Sequence, residues 1–407
     1  MKQTKPIEIS KHEVVEAYKR VKANKGSAGI DQQSIKDFDA DKRNNLYKLW
    51  NRLSSGSYMP PPVLRVEIPK GDGGTRALGI PTITDRIAQM VVKQRIEPEL
   101  EKHFHPNSYG YRPDKSALEA VALTRQRCWE RAWVLDMDIK GFFDDINHDL
   151  LMQAVNKHVK EPWLKLYIER WLKAPIQHPN EIEKRDKGTP QGGVISPLLA
   201  NLYLHYVFDI WVEKHWEGIQ FERYADDIVC HCSSEEEAKQ LKNQLEQRFN
   251  DCGLTLHPKK TKIAYCKSST YTENYPIVSF DFLGYSFKPR LSKNRQGVFF
   301  VAFSPAISRK SAKAVRNKIS DWSIFRNSQA NLEAIACYSR ATLQGWQSYY
   351  GSYGRAELKR VLFFLNEELV RWAKRKYKRL KTKRQAVRWL RGVQQREPQL
   401  FVHWCFT

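Results

Sequence analysis

The alternation of apolar and polar residues predicts helices and short strands in turn along most of the chain. Apolar positions recur at helical spacing in residues 11–24, 84–102 and 115–131. Residues 64–81 predict two strands joined by a Gly-rich loop, because strand-like runs lie on both sides of the glycines. The first third of the chain is therefore expected to hold helices and one hairpin.

The middle of the chain adds strands that end in acidic residues. Residues 132–139 are a short apolar run expected to form a buried strand, and residues 221–232 predict a strand, a tight turn and a second strand. A helix starting at Ser196, with a proline in its first turn, is expected to bury one face. That face would hold Leu199, Leu202, Tyr206 and Ile210.

Strand signals end near residue 305. Residues 234–252 predict another helix, and residues 280–303 predict a further hairpin. Beyond it the pattern is helical, increasingly basic and rich in tryptophan. These patterns together predict an α+β fold followed by an α-helical region.

Composition and charge narrow the classes of partner. Lys and Arg number 68 against 45 Asp and Glu, a formal net charge of +23, which favours association with polyanions such as nucleic acid. A ribosome-associated or merely soluble basic protein would have the same balance. The seven cysteines form no CxxC pair, which argues against a disulfide framework or zinc ribbon and fits a reducing cytoplasm. Because no secretory signal or membrane-spanning stretch is evident, we expect a soluble, cytoplasmic protein without membrane contact.

Three carboxylates occur where strands end. Asp138 closes the strand predicted at 132–139, and Asp226 and Asp227 occupy the turn of the hairpin at 221–232. If these strands are neighbours, the carboxylates converge and repel each other, and hard divalent cations such as Mg²⁺ are their natural partners. Two such ions would stabilise both oxygens of a phosphoryl displacement. A pair of aspartates at a turn, taken alone, is more often a solvated loop.

Further motifs follow the chain in a fixed order. They are RALGIPTITDR, HPNSYGYRPDKSALEAV, VLDMDIKGFFDDINHDLL, GTPQGGVISPLLANLYLH, FERYADDIV, GLTLHPKKTKI and FDFLGYSF, and then LQGWQSYYG with a basic tail. From about residue 11 to the end, this series resembles the reverse transcriptases encoded by bacterial group II introns, and its last part resembles their maturase region. The resemblance implies an RNA-directed DNA polymerase that uses two Mg²⁺ ions.

The resemblance also assigns catalytic and metal-binding roles. The implied catalytic residues are Asp138, Asp226, Asp227 and, as general acid, Lys262, for which Lys259 and Lys260 are rivals. The implied metal ligands are the three aspartates and the backbone carbonyl of Ile139.

Substrate contacts come from the same comparison. The implied dNTP-binding residues are Lys70, Arg76, Arg112, Lys140, Phe143 and Gln191. Phe143 would exclude a 2′-hydroxyl, whereas its neighbour Phe142 is expected in the core. The implied primer grip is Phe282, Leu283, Gly284 and Tyr285, although a core hairpin has the same pattern.

RNA binding is expected at both ends of the chain. The candidate residues are Lys25 and, in the basic tail, Arg371, Lys374, Arg375, Lys376, Lys378 and Arg379. Interleaved aromatic residues such as Trp346 and Tyr349 are more often core than stacking platforms.

The implied architecture is a right-hand polymerase. Fingers with an N-terminal extension would cover residues 1–130, a palm with an antiparallel sheet residues 131–290, and a helical thumb or maturase region residues 291–407. The expected partners are RNA template, intron RNA, DNA primer or target, and dNTPs. No HNH endonuclease pattern is seen, which resembles compact family members. A host-recruited enzyme of phage defence or CRISPR spacer acquisition and a maturase-only splicing factor remain alternatives.

Overall fold

The computed structural model describes residues 5–69, 74–179, 181–327 and 329–405. The chain divides into two compact units. The first unit comprises Met1–Ala120, Met137–Cys230 and Glu236–Thr261, and the second comprises Val121–Asp136, His231–Glu235 and Lys262–Thr407. The three lobes expected from the sequence stay a prediction.

Helices dominate both units. The α-helices are α1 (Lys11–Ala23), α2 (Ile35–Ala40), α3 (Lys42–Ser54), α4 (Ile83–Glu101), α5 (Ala117–Glu130), α6 (Phe142–Asp145), α7 (His148–His158), α8 (Pro162–Leu172), α9 (Ser196–Leu204), α10 (Ile210–His215), α11 (Glu235–Asp251), α12 (Arg309–Ser320), α13 (Leu332–Tyr350), α14 (Arg355–Lys376) and α15 (Lys383–Arg396). Short 3₁₀ turns cover Ser323–Arg326 and Val402–Trp404.

The strands are short and end near residue 307, as the sequence predicted. They are β1 (Val63–Pro69), β2 (Thr75–Ile80), β3 (Trp133–Lys140), β4 (Ile176–Gln177), β5 (Ile182–Glu183), β6 (Gln220–Tyr224), β7 (Asp227–Cys232), β8 (Thr255–Leu256), β9 (Lys262–Tyr265), β10 (Phe280–Phe282), β11 (Tyr285–Lys293) and β12 (Phe299–Ile307). This content confirms the α+β class. No helix within the described residues is long and apolar enough to cross a membrane.

Side chains at the helix ends explain where several helices begin. Ser10 accepts a hydrogen bond from the Glu13 amide while Glu13 bonds back to the Ser10 amide, a reciprocal capping box at the start of α1. Thr82 caps α4 and Asn331 caps α13 in the same side-chain-to-amide manner. Local polar residues therefore place these helix starts, and packing of the apolar faces stabilises the rest.

The sheet that carries the acidic residues is built around β3. Its order is β6-β7-β3-β8, and β9 also pairs with β3. Both β8 and β9 run antiparallel to β3, β9 beside Trp133–Asp136 and β8 beside Ile139 and Lys140. Val134, Leu135, Met137 and Ile139 are almost fully buried, so β3 is a central strand whose end delivers Asp138.

A second sheet in the first unit supports a Gly-rich connection. Strands β1 and β2 pair antiparallel from Leu64–Ile80 to Pro69–Thr75, and β1 also pairs parallel with the short β4. The residues between β1 and β2 include Lys70, which lies outside the described residues. The predicted pair of strands is confirmed.

The second unit has its own sheet and helical core. The sheet order is β10-β11-β12, so residues 280–303 form two consecutive hairpins where the sequence predicted one. The prediction missed the first because its connection is only Leu283 and Gly284, both with positive φ (49° and 80°). Helices α12 to α15 enclose an apolar cluster that includes Leu365, Leu369 and Trp372.

A π-helical turn interrupts the long helix after Ser196. Residues His205–Asp209 form this turn between α9 and α10. The expectation of one continuous apolar face was wrong at its end, because Leu199 and Leu202 are fully buried but Ile210 is 37% exposed. The wider turn inserts about one extra residue, and this rotates the following positions around the helix axis.

Asp85 is a buried polar hub of the first unit. Its carboxylate is 1% exposed and accepts hydrogen bonds from the Tyr58 hydroxyl (2.7 Å), the Trp171 indole (2.7 Å) and Gln89 Nε2 (2.9 Å). Burial raises the pKa of Asp85 above its ordinary value, although all three bonds favour the ionised form. The hub ties helix α4 to helix α8 and to the segment before β1.

Replacing Asp85 by leucine should lower the free energy of unfolding by about 2–5 kcal/mol, because three buried donors lose their acceptor. Urea unfolding followed by circular dichroism measures the change. The Asp85→Asn variant keeps an acceptor oxygen and should lose less. Equal losses in both variants would contradict the role given to the hydrogen bonds.

Candidate active site

Asp138 lies near the end of β3, where a hydrogen bond to its backbone carbonyl fixes its position. The amide of His257 donates to the Asp138 carbonyl at 2.8 Å, next to the pairing of Ile139 with Leu256. Its side chain is half-buried and meets Lys260, whose Nζ lies 2.9 Å and 3.1 Å from the two carboxylate oxygens. The role of the Ile139 carbonyl as a metal ligand stays a prediction.

Asp226 lies in the tight turn between β6 and β7. Tyr224 ends β6, Ala225 has a positive φ of 58°, and Asp227 begins β7. A non-glycine residue with positive φ is strained, so surrounding contacts must hold this turn in place. Because β7 is the neighbour of β3, the turn brings Asp226 beside the end of the strand that carries Asp138.

The pKa of Asp226 is affected by its burial and by the charges around it. Burial raises the pKa of Asp226 above its ordinary value, and the negative charge of Asp138 raises it further. Arg76 and Lys260 act in the opposite direction. A buried carboxylate facing a second carboxylate is stabilised by any cation that enters between them.

The lysines near the acidic residues are placed differently. Lys260 pairs with Asp138 in the first unit, whereas Lys262 Nζ lies 3.6 Å from Asp136 Oδ2 in the second. The lysine that these contacts bring to Asp138 is therefore Lys260. The general-acid role assigned to Lys262 stays a prediction.

Arg76 and Gln191 are brought together. Arg76 Nε donates to Gln191 Oε1 at 2.6 Å, and the Gly79 amide donates to the Gln191 carbonyl at 2.9 Å. A Cβ on Gly192 would lie 2.5 Å from the Gly79 carbonyl, so only glycine permits this approach to β2. Two residues expected to hold the incoming nucleotide thus share one surface.

A glutamine behind this loop anchors it. Gln89 Oε1 accepts the amides of Val194 (2.7 Å) and Ile195 (3.3 Å), while Gln89 Nε2 binds Asp85. The loop that carries Gln191 is therefore connected to the buried hub described above. Sequence reasoning missed Gln89, because its role depends on a contact between distant segments.

The remaining nucleotide candidates differ in their surroundings. Arg112 is engaged within its own segment: Nε donates to Glu101 at 2.8 Å and Nη1 donates to the carbonyls of His105 and Ser108. With its side chain only 6% exposed, Arg112 stabilises this fold region, and its contact with a nucleotide stays a prediction. Lys140 is exposed at the end of β3.

The two adjacent phenylalanines after β3 are both buried. Phe142 is 2% and Phe143 5% exposed, and their rings pack edge-to-face with centroids 5.3 Å apart. Exposure therefore does not distinguish Phe143, which is expected to exclude a 2′-hydroxyl, from Phe142, which is expected in the core. The Phe143 carbonyl accepts the Thr189 amide at 2.7 Å, which links it to the GTPQGG segment.

The YGYRP motif packs directly behind the acidic turn. A Cβ on Gly110 would lie 2.4 Å from the Ala225 backbone nitrogen, so the two backbones touch. Tyr111 is 48% exposed, and burial and the charge of Asp226 raise the pKa of its hydroxyl. Gly110 and Tyr111 were not singled out from the sequence, although their glycine-aromatic pattern was a usable signal.

A fully buried ion pair stabilises the same turn. Arg223 donates from Nε and Nη2 to Asp209 at 2.7 Å and 2.6 Å, and from Nη1 to Asn201 (3.0 Å) and the Ala225 carbonyl (3.3 Å). Burial alone would raise the pKa of Asp209, but the Arg223 guanidinium holds it below its ordinary value. Asn201 Nδ2 also donates to the Gly110 carbonyl at 2.6 Å.

The expected primer grip is a two-residue turn in the second unit. Phe282 and Tyr285 are fully buried, whereas Leu283 and Gly284 between them are half-buried. The Leu283 carbonyl accepts the Tyr349 hydroxyl at 2.7 Å, and Tyr285 donates its hydroxyl to the Tyr349 carbonyl. The turn is thus supported by α13, and its contact with a primer stays a prediction.

The expected RNA-binding residues divide into two sets. Arg375 Nη2 donates to the Phe325 carbonyl (2.7 Å) and Lys376 Nζ to the Ala330 carbonyl (2.6 Å), so both stabilise the connection before α13. Arg371 pairs with Glu368 on its own helix. Arg371 and Arg375 are exposed despite these contacts, and Lys374, Lys378, Arg379 and Lys25 near the N-terminus are exposed as well. Trp372 is a core residue at 1% exposure, and the partly buried Trp346 stacks on Trp322 beside that core.

The residues present suit a hard cation without forming a closed cage. Within the four described ranges, no three Asp, Glu, His or Cys side chains are gathered closely enough to hold a metal ion. The site instead offers carboxylate oxygens from Asp138 and Asp226, whose mutual repulsion a divalent cation would relieve. An oxygen donor set with substrate supplying further ligands is typical of Mg²⁺.

Two family models match the chain. Residues 68–287 match the family described as reverse transcriptase (RNA-dependent DNA polymerase), and residues 312–390 match the group II intron, maturase-specific domain. These matches confirm the resemblance expected from the motif blocks. Members of the first family generally use divalent metal ions.

Individual proteins are similar to different shares of the chain. The chain is 32% identical to protein YkfC of Escherichia coli strain K12 over 62% of its own length and 76% of that protein. It is 36% identical to the group II intron-encoded protein LtrA of Lactococcus lactis subsp. cremoris over 46% of its own length, and spans only 32% of LtrA. Among solved structures, a telomerase from Candida albicans aligns with 84% of this chain and 64% of its own, at a TM-score of 0.47 and 11% identity.

Substituting Gly110 by alanine should slow DNA synthesis by about 100-fold, because the added Cβ displaces the backbone that positions Asp226. Steady-state primer extension measures the effect, with thermal unfolding as the test of folding.

Gly345→Ala in α13 is the matched control, since a Cβ there meets nothing within 4 Å. Extension by this control should equal that of the unmodified chain. An active Gly110→Ala protein would show that the close approach does not position the turn.

Proposed function

Because the chain belongs to the reverse transcriptase family, we propose that it copies RNA into DNA with Asp138, Asp226 and Asp227 as its metal-binding centre. The observation that carries this proposal is the place of Asp226 in the turn before β7, the strand that neighbours β3 with Asp138. In the same unit, Arg76 and Gln191 form a polar surface whose positive charge also acts on Asp226. Carboxylates beside a cationic, glutamine-bearing surface suit a nucleoside triphosphate and its metal ions.

The metal proposed for this centre is Mg²⁺, as two ions. When bound, the ions would activate the primer 3′-hydroxyl and neutralise charge on the departing pyrophosphate. Asp138, Asp226 and Asp227 would supply carboxylate oxygens, and the Ile139 carbonyl a further one. Lys260 neutralises Asp138 in the structure and would release that carboxylate when a divalent ion takes its place.

The chain's own residues account for binding and selection. Arg76, with Lys70 from the same hairpin, would neutralise the triphosphate, and Lys140 offers another exposed cation at the end of β3. Gln191 would present its amide to the nascent base pair. Phe143 would close the space that a ribose 2′-hydroxyl needs.

A second function is proposed for the C-terminal region, namely binding of structured intron RNA in support of splicing. The match of residues 312–390 to the maturase-specific domain favours it. The exposed cations Lys374, Lys378 and Arg379 follow one another at the end of α14 and beyond. They would meet RNA phosphates, while the buried tryptophans of this region stabilise the fold.

The Asp226→Ala variant should lose at least about 100-fold in extension of oligo(dT) on poly(rA) with dTTP and Mg²⁺, because the metal centre loses a ligand. Asp251→Ala, which removes an exposed aspartate at the end of α11, is the matched control and should retain full activity.

Binding of structured RNA by the Asp226→Ala protein should remain unchanged. If neither the unmodified chain nor the control extended the primer while both bound RNA, the chain would be a maturase without polymerase activity. Extension that survived in Asp226→Ala would instead remove this residue from the centre.

The Phe143→Val variant should incorporate ribonucleotides about tenfold more readily relative to deoxynucleotides, since the smaller side chain admits a 2′-hydroxyl. Single-nucleotide kcat/KM values for dTTP and UTP give the ratio. Phe142→Val removes the same volume from the neighbouring buried ring and should leave the ratio unchanged. A shift of equal size in both variants would assign the effect to general loosening.

A further inference from the structure

The hairpin of β11 and β12 extends beyond the buried core that packs against its base. The strands pair without interruption from Tyr285–Ile307 to Lys293–Phe299. A defined turn closes the far end, where the Asn294 amide donates to the Val298 carbonyl at 3.0 Å and Gly297 has a φ of +89°. This end, residues 291–300, is called the hairpin tip below.

One face of the hairpin changes from core to surface along its length. Directly paired residues project to the same side of a sheet, so the pairs Phe287–Pro305, Leu291–Val301 and Lys293–Phe299 share a face. Phe287 is fully buried near the base, whereas Leu291 is 72% and Phe299 63% exposed at the tip. Large apolar side chains exposed together commonly mark a binding surface.

The tip is also strongly cationic. No Asp or Glu occurs between Asp281 and Asp321, a stretch that contains nine Lys and Arg residues. Arg290 near the middle of β11 is neutralised by Glu357 at 2.8 Å. Lys293 and Arg295, by contrast, make no ion pair with a carboxylate of the described residues, and Lys293 Nζ lies 5.4 Å from the Phe299 ring centroid.

The hairpin tip lies outside both regions with a family assignment. The polymerase match ends at residue 287 and the maturase match begins at residue 312. Neither family match therefore assigns a role to its exposed aromatic ring and its unneutralised cations.

We propose that the hairpin tip binds single-stranded nucleic acid, with a base stacked on Phe299 and phosphates held by Lys293 and Arg295. An exposed ring beside two cations matches the alternation of bases and phosphates along a single strand, and stacking requires an unpaired base. A lipid surface would use the apolar residues alone. A protein partner would need its own carboxylates to meet the cations. The inference does not rest on the polymerase reaction proposed above.

The test separates stacking from charge. Fluorescence anisotropy measures binding of a labelled 20-nucleotide RNA, the corresponding DNA strand and a blunt duplex across a range of salt concentrations. The slope of log K against log salt is negative, and the double variant Lys293→Gln with Arg295→Gln should reduce its magnitude by about 1.4. Each phosphate contact on a single strand contributes about 0.7 to that magnitude. Phe299→Ala should weaken single-strand binding about fivefold or more and leave the slope unchanged.

Matched controls test whether the position matters. Arg43→Gln with Lys48→Gln removes two exposed charges from α3 and should leave the slope unaltered. Phe300→Ala removes the adjacent ring, which is on the opposite face and 39% exposed, and should leave affinity unchanged. Thermal unfolding confirms that each variant is folded.

Several outcomes would overturn the inference. Equal slope changes in the α3 control would show that only overall charge acts, and a loss confined to the duplex would exclude stacking. Two further measurements test other partners, namely binding to phosphatidylserine vesicles and dimer formation on size exclusion. If Phe299→Ala lost either of these while RNA binding persisted, the tip would belong to a lipid surface or to a second copy of the chain. Loss of RNA and DNA binding together, or of one alone, in Phe299→Ala supports the inference and identifies the strand preferred. Asp226→Ala should bind single strands normally, which separates this result from failure of the polymerase proposal.

Discussion

The buried pair of Arg223 and Asp209 is the interaction on which the acidic turn depends. Both side chains are fully buried, and two charges removed from water are tolerated only when every donor finds a partner. Here the guanidinium reaches Asp209, Asn201 and the carbonyl of Ala225. The strained residue of the turn is therefore held from behind by bonds that no solvent molecule can replace.

On the other side of the turn the charges are not paired in this way. Asp226 faces another carboxylate, and its cationic neighbours Arg76 and Lys260 come from separate segments of the first unit. The Arg223–Asp209 pair supports the turn rigidly, while the negative charge of Asp226 is only partly neutralised. A site with these two properties binds cations without rearranging. The buried hub at Asp85 extends the same support, through Gln89, to the loop of Gln191.

Much of this arrangement could be predicted from the sequence, and the exceptions share a cause. Strand ends and turns are local, so the positions of Asp138 and Asp226 followed from pattern and motif order. Which lysine meets Asp138 depends on how the chain leaves β8, and three closely spaced lysines offered no local means of choosing Lys260. The hydrogen bond of Arg112 to Glu101 could not be predicted either, because it depends on how two separate segments meet. Gly110 was missed since its contact lies more than a hundred positions away.

The π turn at His205–Asp209 has a consequence for how this chain can change length. It is equivalent to one residue added to a helix, and Asp209 is its last member. Deleting one residue within the turn would restore a regular helix and leave Asp209 in phase with the residues before it. Inserting a further residue there would instead turn Asp209 about 100° around the axis and leave Arg223 buried without its counter-charge. Surface loops can lengthen at little cost, but this helix cannot gain a residue without removing the counter-charge that supports the acidic turn.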